Sequence, residues 1–268
     1  MPFDITGAYT FILGMALAAA RLTPVMILVP VFCFQYLKGP LRFGVVCALA
    51  LIPGPAIGQA LVAQGDHWAS ILGLALKESM LGTLLGLLMY APFWMFASVG
   101  ALFDSQRGAL SGGQLNPALG PDVTALGALF QEALIMLVVL GGGFSIVTQV
   151  IWDSYAVWPP TAWFPVLDAE GLAVLLEQLN QTLQHVMLYS APFIGLLLLI
   201  EAALAIIGLY AQQLQVSSLA MPAKCMVGMA FFLIYWPTLK DLGSGQVQGL
   251  LDLKHLLGLL AKTPVVHP

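Results

Sequence analysis

The chain has 268 residues, 60% of them apolar and only 8% charged, with nine Lys or Arg against 13 Asp or Glu. Soluble domains are roughly 45–50% apolar and about 25% charged, so this composition cannot clothe a water-facing globule. A net charge of −4 leaves no basic face for a nucleic-acid backbone, and Cys33, Cys47 and Cys225 sit singly in apolar runs, without disulfide or zinc spacing.

A membrane-crossing helix needs about 20 apolar residues. Runs near 8–33, 43–63, 79–103, 128–151, 186–210 and 217–238 qualify, which predicts an all-α, polytopic membrane protein with about six hydrophobic helical segments. They are too long and continuous for the alternating strands of an outer-membrane barrel. The first run is interrupted by Arg21 and is preceded by Asp4 rather than a basic stretch, so it does not read as a signal peptide. Lys38 and Arg42 follow it. Pro53 and Pro55 stand inside the second run, and Lys77–Glu78 opens the third, which carries Gly82, Gly86 and Pro92. Each proline removes a donor and kinks its helix. Pro24, Pro30, Pro192, Pro222 and Pro237 extend the pattern, and freed carbonyls favour helices packed on protein over helices bathed in lipid. Gly82 and Gly86 form a small-residue face for close helix approach.

Residues 104–124 form a long Gly-rich connection in which Gln106, Arg107, Gly108, Leu110, Gly112, Gly113, Leu115, Asn116 and Pro117 mix polar, flexible and apolar character. Connections above about 12–15 residues are usually functional or disordered. The fourth run contains Glu132 and the consecutive Gly141, Gly142 and Gly143. Between the fourth and fifth runs, 168–184 places Leu172, Leu175, Leu176, Leu179 and Leu183 opposite Glu177, Gln178, Gln181 and Gln184, the period of an amphipathic helix lying on a membrane or a partner. Glu201 lies in the fifth run, and Lys224 in the sixth.

A charge at mid-membrane costs about 2.5–3.5 kcal/mol on insertion scales. For Arg21, Lys77, Glu78, Glu132, Glu201 and Lys224 the preferred reading is pairing that fixes helix register inside an assembly; the other is a proton or ion relay. No acids fall at metal-ligand or acid/base spacing, and His67, His185, His255 and His267 are isolated, so neither an enzyme nor a cofactor is expected. The excess of basic residues around 38–42 and at Arg107 places the N-terminus outside the cytoplasm, while Lys240, Lys254 and Lys262 dissent from that orientation.

Three groups of residues carry a resemblance that covers nearly the whole chain. They are Arg21, Pro24, Pro30, Gly39, Pro40 and Arg42; then Glu78, Gly82, Gly86, Gly100, Asp104, Gln106, Gly108, Asn116 and Pro117; then Gln212, Gln213 and the segment Met221-Pro222-Ala223-Lys224. In order and spacing they resemble the T component of the type III secretion export apparatus, which is homologous to the flagellar protein FliR; Lys224 and Lys77–Glu78 look more like the virulence branch. The resemblance implies one copy assembled with five R-type and four S-type subunits (5:4:1), beside the U-type switch protein and the V-type export gate protein, in the bacterial inner membrane within the basal body. It implies a funnel that conducts unfolded secreted proteins. It also implies an R-subunit-like part over 1–185, an S-subunit-like helical hairpin over 186–240 and an amphipathic tail over 241–268, with 104–121 plugging the closed pore. No phosphate-binding loop is present, so energy would come from elsewhere, from a proton gradient and an ATPase. The alternative from another class is a small-molecule secondary transporter, although no inverted repeat is evident between the two halves.

Overall fold

The computed structural model describes residues 5–32, 40–64, 68–108, 124–163, 169–210 and 216–249. Within them the chain is all-helical, as long apolar runs without alternation require. The order is α1 (Ile5–Leu28), a short 3-10 turn (Pro30–Phe32), α2 (Pro40–Ala50), α3 (Gly54–Gln64), α4 (Trp68–Gln106), α5 (Ala125–Leu140), α6 (Gly143–Val157), α7 (Ala169–Tyr210) and α8 (Val216–Gln248).

Among the described residues, four helices are long and apolar enough to cross a membrane alone, and the pairs α2–α3 and α5–α6 bring the total to six when each is one broken span. The second expected run is broken because Pro53 cannot donate to the preceding turn: α2 and α3 meet at 67°. Pro55 falls in the first turn of α3, where its missing N–H costs nothing. The fourth run breaks at Gly142, whose φ of 74° only glycine adopts freely. The amphipathic segment and the fifth run, by contrast, are one helix. The 42 residues of α7 give a length of about 63 Å, and the 39 of α4 about 58 Å, at 1.5 Å per residue. Pro92, Pro192, Pro222 and Pro237 all lie inside helices.

The chain divides into two compact units, the first from residues 1–91, 141–177 and 248–268, the second from 92–140 and 178–247. In the first unit, glycine lets helix backbones touch. A Cβ on Gly14 or Gly58 would strike the backbone of the facing helix, so α1 and α3 lie in direct contact. Further along α1, a Cβ on Gly82 of α4 would collide with the Arg21 carbonyl, and one on Gly86 would lie 2.8 Å from Leu28 Cδ1. Leu17, Leu22, Val25 and Met26 of α1 and Leu85 and Met89 of α4 are buried.

The second unit is built around Phe193 of α7, whose ring lies 5.1 Å from Phe103, 5.4 Å from Phe231, 5.1 Å from Tyr235 and 6.3 Å from Phe130. Such edge-on contacts add about 0.5–1.5 kcal/mol each beyond burial. They join α4, α5, α7 and α8. A Cβ on Gly100 would strike the backbone at Leu126, and one on Gly127 would approach the Ala97 carbonyl oxygen to 2.9 Å, so α4 and α5 also meet backbone to backbone.

Candidate functional site: charges held inside apolar helices

In the first unit, Arg21, Lys77 and Glu78 come together with exposures of 1%, 2% and 0%. Arg21 donates to Glu78 through two nitrogens, Nε at 2.6 Å to Oε2 and Nη2 at 3.0 Å to Oε1. The planar guanidinium matches both carboxylate oxygens, a geometry lysine cannot copy. Its remaining reach goes to α6 and beyond: Nη1 donates to Ser154 Oγ at 3.1 Å and Nη2 to the Trp158 carbonyl at 2.8 Å. The ring of Tyr155 lies under it, 4.3 Å from the guanidinium carbon, and the Tyr155 hydroxyl donates to the Ala18 carbonyl at 3.0 Å.

Lys77 pairs with Glu78 Oε1 at 2.9 Å and spends its other donors on the turn after α6. Its ammonium donates to the carbonyls of Pro160 at 2.9 Å and Ala162 at 2.7 Å, with Pro159 at 3.4 Å. One carboxylate thus faces two cations, and backbone carbonyl dipoles carry the rest of the compensation. Burial of these charges is tolerable because every one is hydrogen-bonded. In chemical terms the arrangement is a fastener, with its donors consumed by the protein's own acceptors.

The second unit holds a second group at the end of α4. Gly108, at φ 82°, ends that helix in the left-handed conformation. Asp104, one turn earlier, is buried and bifunctional. Its Oδ1 pairs with Arg107 Nη2 at 2.6 Å, and its Oδ2 accepts the backbone N–H of Leu126 at 2.8 Å. Thr124 caps α5 itself, its Oγ1 accepting from the Gly127 N–H at 3.1 Å. Lys224 of α8 pairs with Glu201 of α7 at 3.1 Å and approaches the Gln106 carbonyl at 3.5 Å.

The sequence-predicted charges therefore fall into one buried trio, Arg21–Lys77–Glu78, and one pair, Glu201–Lys224, while Glu132 is exposed on α5 with no ion-pair partner among the described residues. Of the plug candidates, Gln106, Arg107 and Gly108 are placed at the end of α4; Leu110, Gly112, Gly113, Leu115, Asn116 and Pro117 lie outside the described residues. Sequence reasoning missed the acceptors. Ser154 and Tyr155 are 133 and 134 positions from Arg21, and the carbonyls of the 158–162 turn carry no side-chain signature. Asp104 was visible as the start of the long connection but not as a cap for α5. No group of three or more His, Cys, Asp or Glu able to hold a metal exists among the described residues.

Comparison with known proteins follows the same lines. Residues 12–250 match the bacterial export proteins, family 1. The chain is 33% identical over 225 residues to Yop proteins translocation protein T of Yersinia pestis, covering 84% of this chain and 86% of that protein. It is 26% identical over 228 residues to Surface presentation of antigens protein SpaR of Salmonella typhimurium, covering 84% of each. It is 21% identical over 238 residues to flagellar biosynthetic protein FliR of Caulobacter vibrioides, covering 89% of this chain and 94% of that one.

Proposed function

The chain belongs to the bacterial export proteins, family 1, as a subunit of a type III secretion export apparatus, and on that premise we propose that it is a non-enzymatic core subunit of the protein-export gate. It works in the bacterial inner membrane with R-type and S-type subunits, in the 5:4:1 helical assembly, next to the U-type switch protein and the V-type export gate protein. The assembly gives unfolded secreted proteins their path. Residues 1–185 serve as the R-subunit-like part, 186–240 as the S-subunit-like hairpin and 241–268 as an amphipathic tail. The greater identity to the secretion proteins than to FliR supports the virulence branch.

The observation that carries this reading is helix length against exposed surface. A bilayer offers about 30 Å of hydrocarbon, roughly half the length of α4 or α7. Yet apolar side chains stay exposed along both helices, from Trp68, Leu72 and Leu76 to Leu87 and Trp94, and from Leu176 and Leu183 to Leu199 and Leu209. Lipid can cover only part of each stripe, and neighbouring protein covers the rest. The transporter alternative fits less well, since the buried charges are engaged with one another and with backbone carbonyls.

Within this reading, 104–121 plugs the closed pore, because glycines between leucines allow filling without a strong, permanent core. The test is to delete 108–120 behind a short linker and measure membrane conductance. An assembled deletion variant should leak ions and small solutes while wild-type membranes stay sealed; a sealed, assembled variant removes the plug and assigns the seal to other subunits.

A further inference from the structure

The end of α4 and the start of α5 are 19 positions apart in sequence, from Gln106 to Ala125, yet the structure joins them directly. An α-helix leaves its first N–H groups without intrahelical acceptors. In α5, Thr124 satisfies the Gly127 N–H from within the helix's own cap, but its hydroxyl leaves the Leu126 N–H to another acceptor. That acceptor is Asp104 Oδ2, reached across 22 positions at 2.8 Å. The contact is buried, and a carboxylate at a helix N-terminus also meets the positive end of the helix dipole. Gly100, one turn before Asp104, and Gly127 let the two backbones approach closely enough for the reach. Arg107 forms an ion pair with the other oxygen at 2.6 Å.

We infer that Asp104 is a positioning residue: a cap supplied from a neighbouring helix that pins the N-terminus of α5 to the C-terminal turn of α4 and sets the spacing of the two helix ends that residues 107–124 connect. Capping, rather than charge alone, does the pinning. Asparagine is as good an N-cap as aspartate, since its carbonyl oxygen accepts the same bond. Asp104→Asn should therefore keep the junction, although it loses the Arg107 pair. Asp104→Ala leaves the Leu126 N–H with no acceptor and releases it. Any consequence for sealing rests on the reading of 104–121 as the plug, so the two need separate readouts.

The experiment uses the full chain in its complex with co-expressed export partners. Hydrogen–deuterium exchange is followed over the first turn of α5, residues 125–128, and membrane conductance is measured in parallel. Asp104→Ala should speed exchange of that turn about tenfold, the population shift expected from losing one buried hydrogen bond, and Asp104→Asn should not. If Asp104→Ala does not assemble, Asp104→Ser, small and too short to reach, replaces it with the same expectation. Unchanged exchange in the Ala or Ser variant overturns the inference, whatever the conductance does. Equal acceleration in the Asn variant overturns the capping assignment. Faster exchange with sealed membranes supports the inference and counts against the plug reading instead.

Discussion

Replacing Glu78 by methionine should do more damage than replacing either cation it serves. Glu78 faces Arg21 at 2.6 Å and Lys77 at 2.9 Å, all three buried, so Glu78→Met leaves two like charges unpaired in an apolar interior. Removing one partner of a buried pair costs about 3–5 kcal/mol. With two cations orphaned, the loss should reach the top of that range, roughly 5 kcal/mol, against total stabilities of about 5–15 kcal/mol. Arg21→Met should cost less, about 3 kcal/mol, because Lys77 remains to pair with Glu78, while Glu78, Ser154 and the Trp158 carbonyl each lose the donors Arg21 gave them. The double variant removes one charge of each sign. Its cost should not exceed that of Glu78→Met alone, a shortfall from additivity of about 3 kcal/mol, as expected for groups in one network. Thermal unfolding of the purified complex, with membrane abundance as a second readout, gives the ordering. Additive effects, or a Glu78→Met variant as stable as wild type, would refute the argument that one carboxylate compensates both cations.

Gly82→Ala should separate α1 from α4, since its Cβ would collide with the Arg21 carbonyl, at a cost of about 1–3 kcal/mol; Gly44→Ala, which meets nothing within 4 Å, should be neutral or slightly stabilising by the same abundance assay. Phe193→Ala should cost about 3–5 kcal/mol by emptying the centre of the aromatic cluster, visible as a lowered Tm of the complex. The Glu201–Lys224 pair, with the Glu201 side chain 60% exposed, should be worth no more than about 1 kcal/mol to folding. Glu201→Ala should therefore lower assembly or secretion without unfolding the chain, and Glu201→Gln should do so more mildly; a Gln variant that assembles yet secretes nothing would point to a titrating relay.

How far the sequence reaches is clearest in the helices. Apolar run length located the membrane-crossing segments, because burial in lipid demands length and little else. One break was legible where chemistry forces it, at Pro53 in the second run; the break at Gly142 was not, since three consecutive glycines are equally compatible with one continuous span. The join across Ala169–Tyr210 was not legible, since an amphipathic period passes into an apolar one with no stop signal between them, and Pro192 is accommodated inside α7. Charges followed the same rule. Arg21, Lys77 and Glu78 stood out because lipid makes them costly, but the carbonyls of Pro160 and Ala162 could not be chosen from sequence. Any residue presents a carbonyl, and only the fold decides which ones converge. Asp104 shows the intermediate case: an acid beside a long Gly-rich connection is visible, while its bond to Leu126 depends on the glycines that let α4 and α5 touch.

Native mass spectrometry of the tagged chain, co-expressed with its R-type and S-type neighbours and extracted in mild detergent, tests the central claim most directly. One copy of this chain in a 5:4:1 assembly is the expected result, with degradation or aggregation of the chain expressed alone. A stable, monodisperse monomer that ignores those neighbours and binds a small solute would contradict it.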